Sequence, residues 1–180
     1  MATQLDVATL NLQDALDFAA LIEKEAEERY LVFADQLGKR YRGDAADFFI
    51  MMARNERRHG SELAERRKLL FGDTPSRVTS TMMEPDIEAP GFEKAIRFMS
   101  PRHALEVAMA SEVKAYEFYD RVLYIDKFLH DILDPTVRNL IQELRDEEEG
   151  HQRLLNEMKA RYPDTLVPDF APEITELPSL

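Results

Sequence analysis

Six side chains in this sequence are of the kind that holds metal ions: Glu23, Glu56, His59, Glu112, Glu148 and His151. Glu56 and Glu148 are each followed three positions later by a histidine, His59 and His151. Glu23 and Glu112 are each followed seven positions later by a tyrosine, Tyr30 and Tyr119. Carboxylate and imidazole are the oxygen and nitrogen donors that suit iron or manganese, and zinc also takes them. The chain has no cysteine, so disulfides, thiolate zinc sites and iron–sulfur ligation are all excluded. Four carboxylates would balance two divalent cations, and the neutral imidazoles would complete the shell without adding charge. Because a carboxylate can bridge two ions, six side chains suffice for a pair and leave coordination positions open for an oxidant.

What makes these residues candidates is their position within apolar stripes. The first stripe reads Leu16, Ala19, Ala20, Glu23, Ala26, Tyr30, Phe33, Ala34, Leu37, with spacings of three and four that keep one helical face. The second reads Phe49, Met52, Ala53, Glu56, His59, Gly60, Leu63, Leu70. The third is Leu105, Ala108, Met109, Glu112, Ala115, Tyr119, Val122, and the fourth Val137, Ile141, Leu144, Glu148, His151, Leu155, Met158. Each stripe therefore carries a carboxylate in its middle, directed inward. Burying even one unpaired carboxylate costs several kcal/mol, and a domain of this kind has a total stability of roughly 5–15 kcal/mol. Four buried carboxylates need compensation, and two divalent cations provide it. Ala19, Ala26, Ala53, Gly60, Ala108 and Ala115 leave room beside the ions. Tyr30 and Tyr119 are placed to hydrogen-bond the ligating carboxylates from behind.

The elements that must position these groups are four long helices. The first runs from about Asn11 to Leu37 and stops near Gly38. The second runs from Asp44, a candidate N-cap, to Phe71, with Gly72 as its stop. The third opens on Ser100-Pro101, a cap followed by proline at the first helical position, and continues to about Leu129. The fourth spans Pro135 to about Tyr162. Short connections make the first two helices one antiparallel hairpin and the last two another. The stretch 73–99, with Pro75, Pro85 and Pro90, is long enough to cross the bundle. Two hairpins joined by one crossover is the ferritin-like, all-α connectivity, and the hairpins repeat each other with ligands in register. This assigns residues 1–162 to one bundle domain and 163–180, rich in proline and acid, to an extended tail.

Composition agrees. The 180 residues are 44% hydrophobic and 32% charged, with six glycines, as a single helical domain requires. A formal net charge of −12 argues against nucleic acid or an anionic membrane as partner. No apolar run approaches the roughly 20 residues that span a bilayer, and the N-terminus lacks a signal-peptide pattern, so a cytoplasmic location is expected. Other polar residues are assigned elsewhere. His103 and His130 fall at helix ends, Glu27 to a surface ion pair, and Arg54, Arg57 and Arg58 to solvent. Within the charge run Arg145 to Glu149, Glu148 is the residue expected to turn inward. Glu147, four residues before His151, is the reserve ligand. Met82, Met83, Phe92 and Phe98 are expected to pack on the bundle or a partner.

The segments EKEAEERYLVFA, NERRHGSEL, SEVKAYEFYDRV and DEEEGHQRLL resemble the rubrerythrin-like branch of the ferritin-like superfamily. The resemblance spans all four helices, about Asn11 to Tyr162. It implies that Glu23, Glu56, His59, Glu112, Glu148 and His151 take the family's di-iron ligand positions. It also implies a bundle that often forms a homodimer, and oxidation of ferrous iron or reduction of hydrogen peroxide. Two departures matter. Full-length rubrerythrins carry a four-cysteine rubredoxin domain, absent here, so an electron donor for peroxide reduction would be a separate protein. They also carry a further carboxylate on the third helix three residues from the principal one, where this chain has Met109 and Ala115.

The expected function is a di-iron oxidoreductase in which hydrogen peroxide or dioxygen oxidises ferrous iron, with manganese or zinc as substitutes. Reduction by an external protein would make it a peroxide scavenger. Release of ferric iron would make it a ferroxidase linked to storage in a larger shell, recognised through the tail. Rival readings are a metal-stabilised helical adaptor without catalysis and a di-iron oxygenase acting on an organic substrate.

Overall fold

Helix boundaries follow local chemistry. The computed structural model describes residues 11–79, 100–128, 133 and 135–162. Among them are four helices: α1 (Leu12–Leu37), α2 (Ala45–Phe71), α3 (Pro101–Phe128) and α4 (Pro135–Lys159). Asn11 caps α1 by accepting from Asp14 N at 2.9 Å, while the Asp14 carboxylate accepts from Asn11 N. This reciprocal pair satisfies two amides that the first helical turn leaves open. Asp44 caps α2 by accepting from Asp47 N at 3.0 Å, and Ser100 caps α3 by accepting from His103 N at 3.1 Å. Gly38 and Gly72 end α1 and α2 with φ of 62° and 59°, where a side chain would be strained. The fourth helix is shorter than expected. After Lys159 the amides of Arg161 and Tyr162 bond to carbonyls three residues back, a tighter winding that ends the α-helical ladder.

Cross-helix contacts give the directions. Arg67 pairs with Asp17 at 2.8 Å near one end of α1, and Arg57 Nε donates to Glu27 at 2.7 Å further along it. These pairings make α1 and α2 antiparallel. Arg102 Nη1 donates to Tyr162 O at 3.1 Å and Arg145 to Asp120 at 3.3 Å, which makes α3 and α4 antiparallel. Between the hairpins, Glu56 meets His151 while Arg66 meets Glu143, so α2 and α4 are also antiparallel. It follows that α2 and α3 run the same way. The end of α2 and the start of α3 therefore lie at opposite ends of the bundle, about 40 Å apart at 1.5 Å per residue, as the crossover expectation requires. The described part of that link, through Thr79, turns back onto α1. Arg77 Nε donates to Asp14 at 2.7 Å, and Gln13 donates to Pro75 O at 3.1 Å.

The core is divided in two. One cluster holds Ala15, Leu16, Ile22, Leu63, Tyr119, Val122, Val137 and Leu144. The other holds Ala26, Tyr30, Phe33, Phe49, Met52, Leu105, Ala108 and Leu155. On every helix the expected ligand lies between the segment serving one cluster and the segment serving the other. The stripes hold with one exception: Leu70 is 51% exposed, and the adjacent Phe71 packs on the core instead.

His130, Met82, Met83, Phe92, Phe98 and the tail 163–180 lie outside the described residues, as do residues 1–10. No described helix is long and apolar enough to cross a membrane.

Candidate metal centre

The six expected ligands converge at the waist between the two clusters. Glu23, Glu56, His59, Glu112, Glu148 and His151 are all buried, between 3% and 7% exposed. His59 Nδ1 lies 3.6 Å from Glu23 Oε2 and 3.7 Å from Glu56 Oε2. His151 Nδ1 lies 3.4 Å from Glu56 Oε1, 3.3 Å from Glu112 Oε2 and 3.9 Å from Glu148 Oε2. The two imidazoles face each other nearly parallel, with centroids 5.6 Å apart and planes inclined by 14°. Both present Nδ1 to the carboxylates. Gly60 packs against α1 here: a Cβ added to it would stand 3.4 Å from Glu23 Cβ.

These donors fit a pair of cations by their own unmet needs. Glu23 Oε2, Glu56 Oε1 and His59 Nδ1 are buried without a hydrogen-bond partner, although buried polar atoms almost always have one. Most separations between nitrogen and oxygen are too wide for a hydrogen bond and suit groups arranged around a common ion. Three sets of donor atoms lie within 4.8 Å of one another: Glu23, His59 and Glu147; Glu112, Glu148 and His151; and Glu56 with both histidines. The arrangement is two candidate metal-binding groups joined by Glu56.

Protons take the place of cations when the site is metal-free. Burial, reinforced by Glu56, pushes the Glu23 carboxyl up to about 8, while His59 pulls the other way. The Glu23 and Glu56 carboxylates raise His59 to about 10 against the effect of burial. For His151 burial opposes the charged form, but Glu112, Glu56 and Glu23 outweigh it and raise the group to about 9. The carboxylates are thus neutralised partly by imidazolium and partly by their own protonation.

Two features were not legible in the sequence. Glu147, a reserve ligand by its spacing within a solvated run, brings Oε2 within 3.8 Å of His59 Nδ1. It approaches the histidine of the other hairpin, and the contact depends on how α2 and α4 pack. Arg58 is exposed as expected, but its Nη2 lies 3.0 Å from His59 Nε2. Since a guanidinium only donates, a hydrogen bond here requires neutral His59 with its proton on Nδ1, and protonation of the ring breaks it. Ligation through Nδ1 would move the proton to Nε2 and turn Arg58 away.

Glu27 forms its expected ion pair with Arg57, and Arg54 is exposed. His103 is half-buried in the first turn of α3. Tyr30 and Tyr119 are buried at 2% and 0% exposure. Tyr30 stacks on Phe49 with centroids 5.7 Å apart, and Tyr119 meets Phe118 edge-on at 5.4 Å. Asp126 is a buried carboxylate the sequence did not signal. It accepts from Leu133 N at 2.7 Å and Arg138 Nε at 2.5 Å, and so ties the end of α3 to the start of α4.

None of the curated proteins compared with the chain matches it significantly. Among solved structures, an uncharacterised conserved protein from Magnetospirillum magnetotacticum MS-1 is similar, with a TM-score of 0.66 and 27% identity. The match covers 84% of this chain and 95% of that one, and the two share the four-helix fold. The rubrerythrin family model matches residues 14–159, from the first turn of α1 to the last residue of α4 and including all six expected ligands. The chain belongs to the rubrerythrin family.

Proposed function

We propose that this protein is a di-iron oxidoreductase in which hydrogen peroxide or dioxygen oxidises ferrous iron. The observation that carries the reading is the pair of buried Glu/His groups joined by Glu56, with Glu23 Oε2, Glu56 Oε1 and His59 Nδ1 lacking hydrogen-bond partners. Glu23 and His59 would hold one ion, Glu112, Glu148 and His151 the other, and Glu56 would link them. An iron pair supplies two one-electron couples in one place, matching the two electrons needed to reduce hydrogen peroxide to water. Tyr30 and Tyr119, with the apolar clusters on either side, exclude bulk water from the donors. The donor set also admits manganese and zinc, and family membership supports iron.

A peroxidase cycle would need an electron donor outside these 180 residues, which have no cysteine for a rubredoxin-type centre. A ferroxidase cycle would pass ferric iron to a larger store. Both use the same first half-reaction, and homodimer formation is part of the proposal in either case. The test is metal content per chain after growth with ample iron, followed by anaerobic ferrous loading and a peroxide pulse. About two irons per chain, oxidised rapidly by the pulse, support the proposal. A protein that takes up no ferrous iron, or whose bound iron ignores peroxide, overturns it. Turnover with a reductant then separates the peroxidase from the ferroxidase.

A further inference from the structure

The two halves of the metal centre are not equivalent, and the difference lies in one residue. The internal repeat aligns Glu56-x-x-His59 with Glu148-x-x-His151, which sets Asn55 in the place of Glu147. One hairpin thus offers a neutral amide where the other offers a carboxylate. Glu147 does not serve the histidine of its own helix. Its Oε2 lies 3.8 Å from Nδ1 of His59 on α2, and with Glu23 and His59 it forms a set of donors within 4.8 Å of one another. Two of those donors, Glu23 Oε2 and His59 Nδ1, are among the buried atoms without hydrogen-bond partners. Among the described residues, no lysine or arginine pairs with Glu147.

We propose that Glu147 is a seventh ligand of the metal pair, holding the ion on the His59 side and receiving that ion from solvent. The inference rests on the di-metal reading above and deepens it. Without Glu147, the His59 side has one imidazole, the Glu23 carboxylate and a share of Glu56. The His151 side has one imidazole, both Glu112 and Glu148, and the same share. Glu147 restores the balance, so that each ion has two carboxylates of its own. It does so from α4, whereas the third-helix positions flanking Glu112 are Met109 and Ala115. Exposure separates it from the others: its side chain is 40% exposed, against 3% for Glu23 and Glu56 and 4% for Glu148. A cation arriving from water meets Glu147 first, and His59 and Glu23 lie directly behind it. With Glu147 the site holds five carboxylates, one more than two divalent ions neutralise. The surplus favours the pair once its ions become trivalent.

The experiment compares the full chain with its Glu147→Gln, Glu147→Asp and Glu62→Gln variants. Each is titrated anaerobically with ferrous iron by equilibrium dialysis, and with cobalt(II) followed through its ligand-field absorption. Glutamine keeps the shape of Glu147 and removes its charge. Glu62, an exposed acid on α2 beside Arg58, reports the effect of nearby surface charge. The expected result is two ions in the full chain. In Glu147→Gln the second ion weakens and loads more slowly by about tenfold or more, with the cobalt spectrum of the first ion kept. Glu147→Asp should fall between. Equal affinity and uptake rate in Glu147→Gln and the unmodified chain overturn the inference, as does a loss that Glu62→Gln reproduces in full. Fewer than two ions in the unmodified chain would overturn the di-metal reading itself.

Discussion

Glu56 offers one carboxylate oxygen to each histidine: Oε2 stands 3.7 Å from Nδ1 of His59, and Oε1 stands 3.4 Å from Nδ1 of His151. Since the two imidazoles come from different hairpins, this one side chain ties the halves of the bundle together at the centre of the site. Its replacement should therefore do more damage than that of a ligand serving one side.

For that reason Glu56→Ala is expected to lose both ions, whereas His151→Ala should lose chiefly the ion on its own side. Both variants should keep most of their helix content, because the apolar clusters on either side are untouched. Metal analysis with far-ultraviolet circular dichroism checks this. Two ions per chain retained in both variants would refute the ligand assignment.

Metal binding should release protons. Glu23 near 8, His59 near 10 and His151 near 9 all hold protons at neutral pH in the metal-free site, and ligation requires each to give them up. Loading a pair of ions at pH 7 is expected to release up to three protons, with affinity rising as pH rises. Titration in a weakly buffered indicator solution measures the release. A pH-independent affinity between 6 and 9 would contradict the electrostatic account.

The metal-free bundle should lose stability as pH rises. All three groups have folded-state values above their ordinary ones, 4.5 for Glu23 and 6.5 for the histidines, so the folded state holds more protons than the unfolded one. The stabilisation from the histidines is full below about 6.5 and is lost as pH passes through 9 and 10. Glu23 contributes a loss from about 4.5 to 8. Stability therefore falls across this range. Bound metal replaces the protons, so the difference in melting temperature between loaded and metal-free protein should widen with pH. A constant difference would count against it.

Phe49 tests the packing independently of the metal. It is fully buried, stacks on Tyr30 and meets Phe33 edge-on at 5.2 Å. Phe49→Ala is expected to cost roughly 3–5 kcal/mol, measured by denaturant unfolding with the site loaded. A loss below about 1 kcal/mol would mean that the cluster relaxes around the gap far more than such cores do.

The sequence by itself determined the four helices, the caps at Asp44 and Ser100, and the six inward carboxylates and imidazoles. The physical reason is that helical periodicity is local: spacings of three and four decide which residues share a face, and a carboxylate centred in an apolar stripe turns inward with it. Only the tertiary structure decided what crosses between helices. The reach of Glu147 to His59, the link Glu56 makes between the two histidines, and the approach of Arg58 to His59 all depend on how the helices pack and which rotamers that packing leaves. The burial of Asp126 beside Leu133 and Arg138 is of the same kind, since it depends on how α3 and α4 pack together. No spacing along one stretch of sequence records those distances, because they arise when apolar faces pack and set the neighbouring helices to a fraction of a turn.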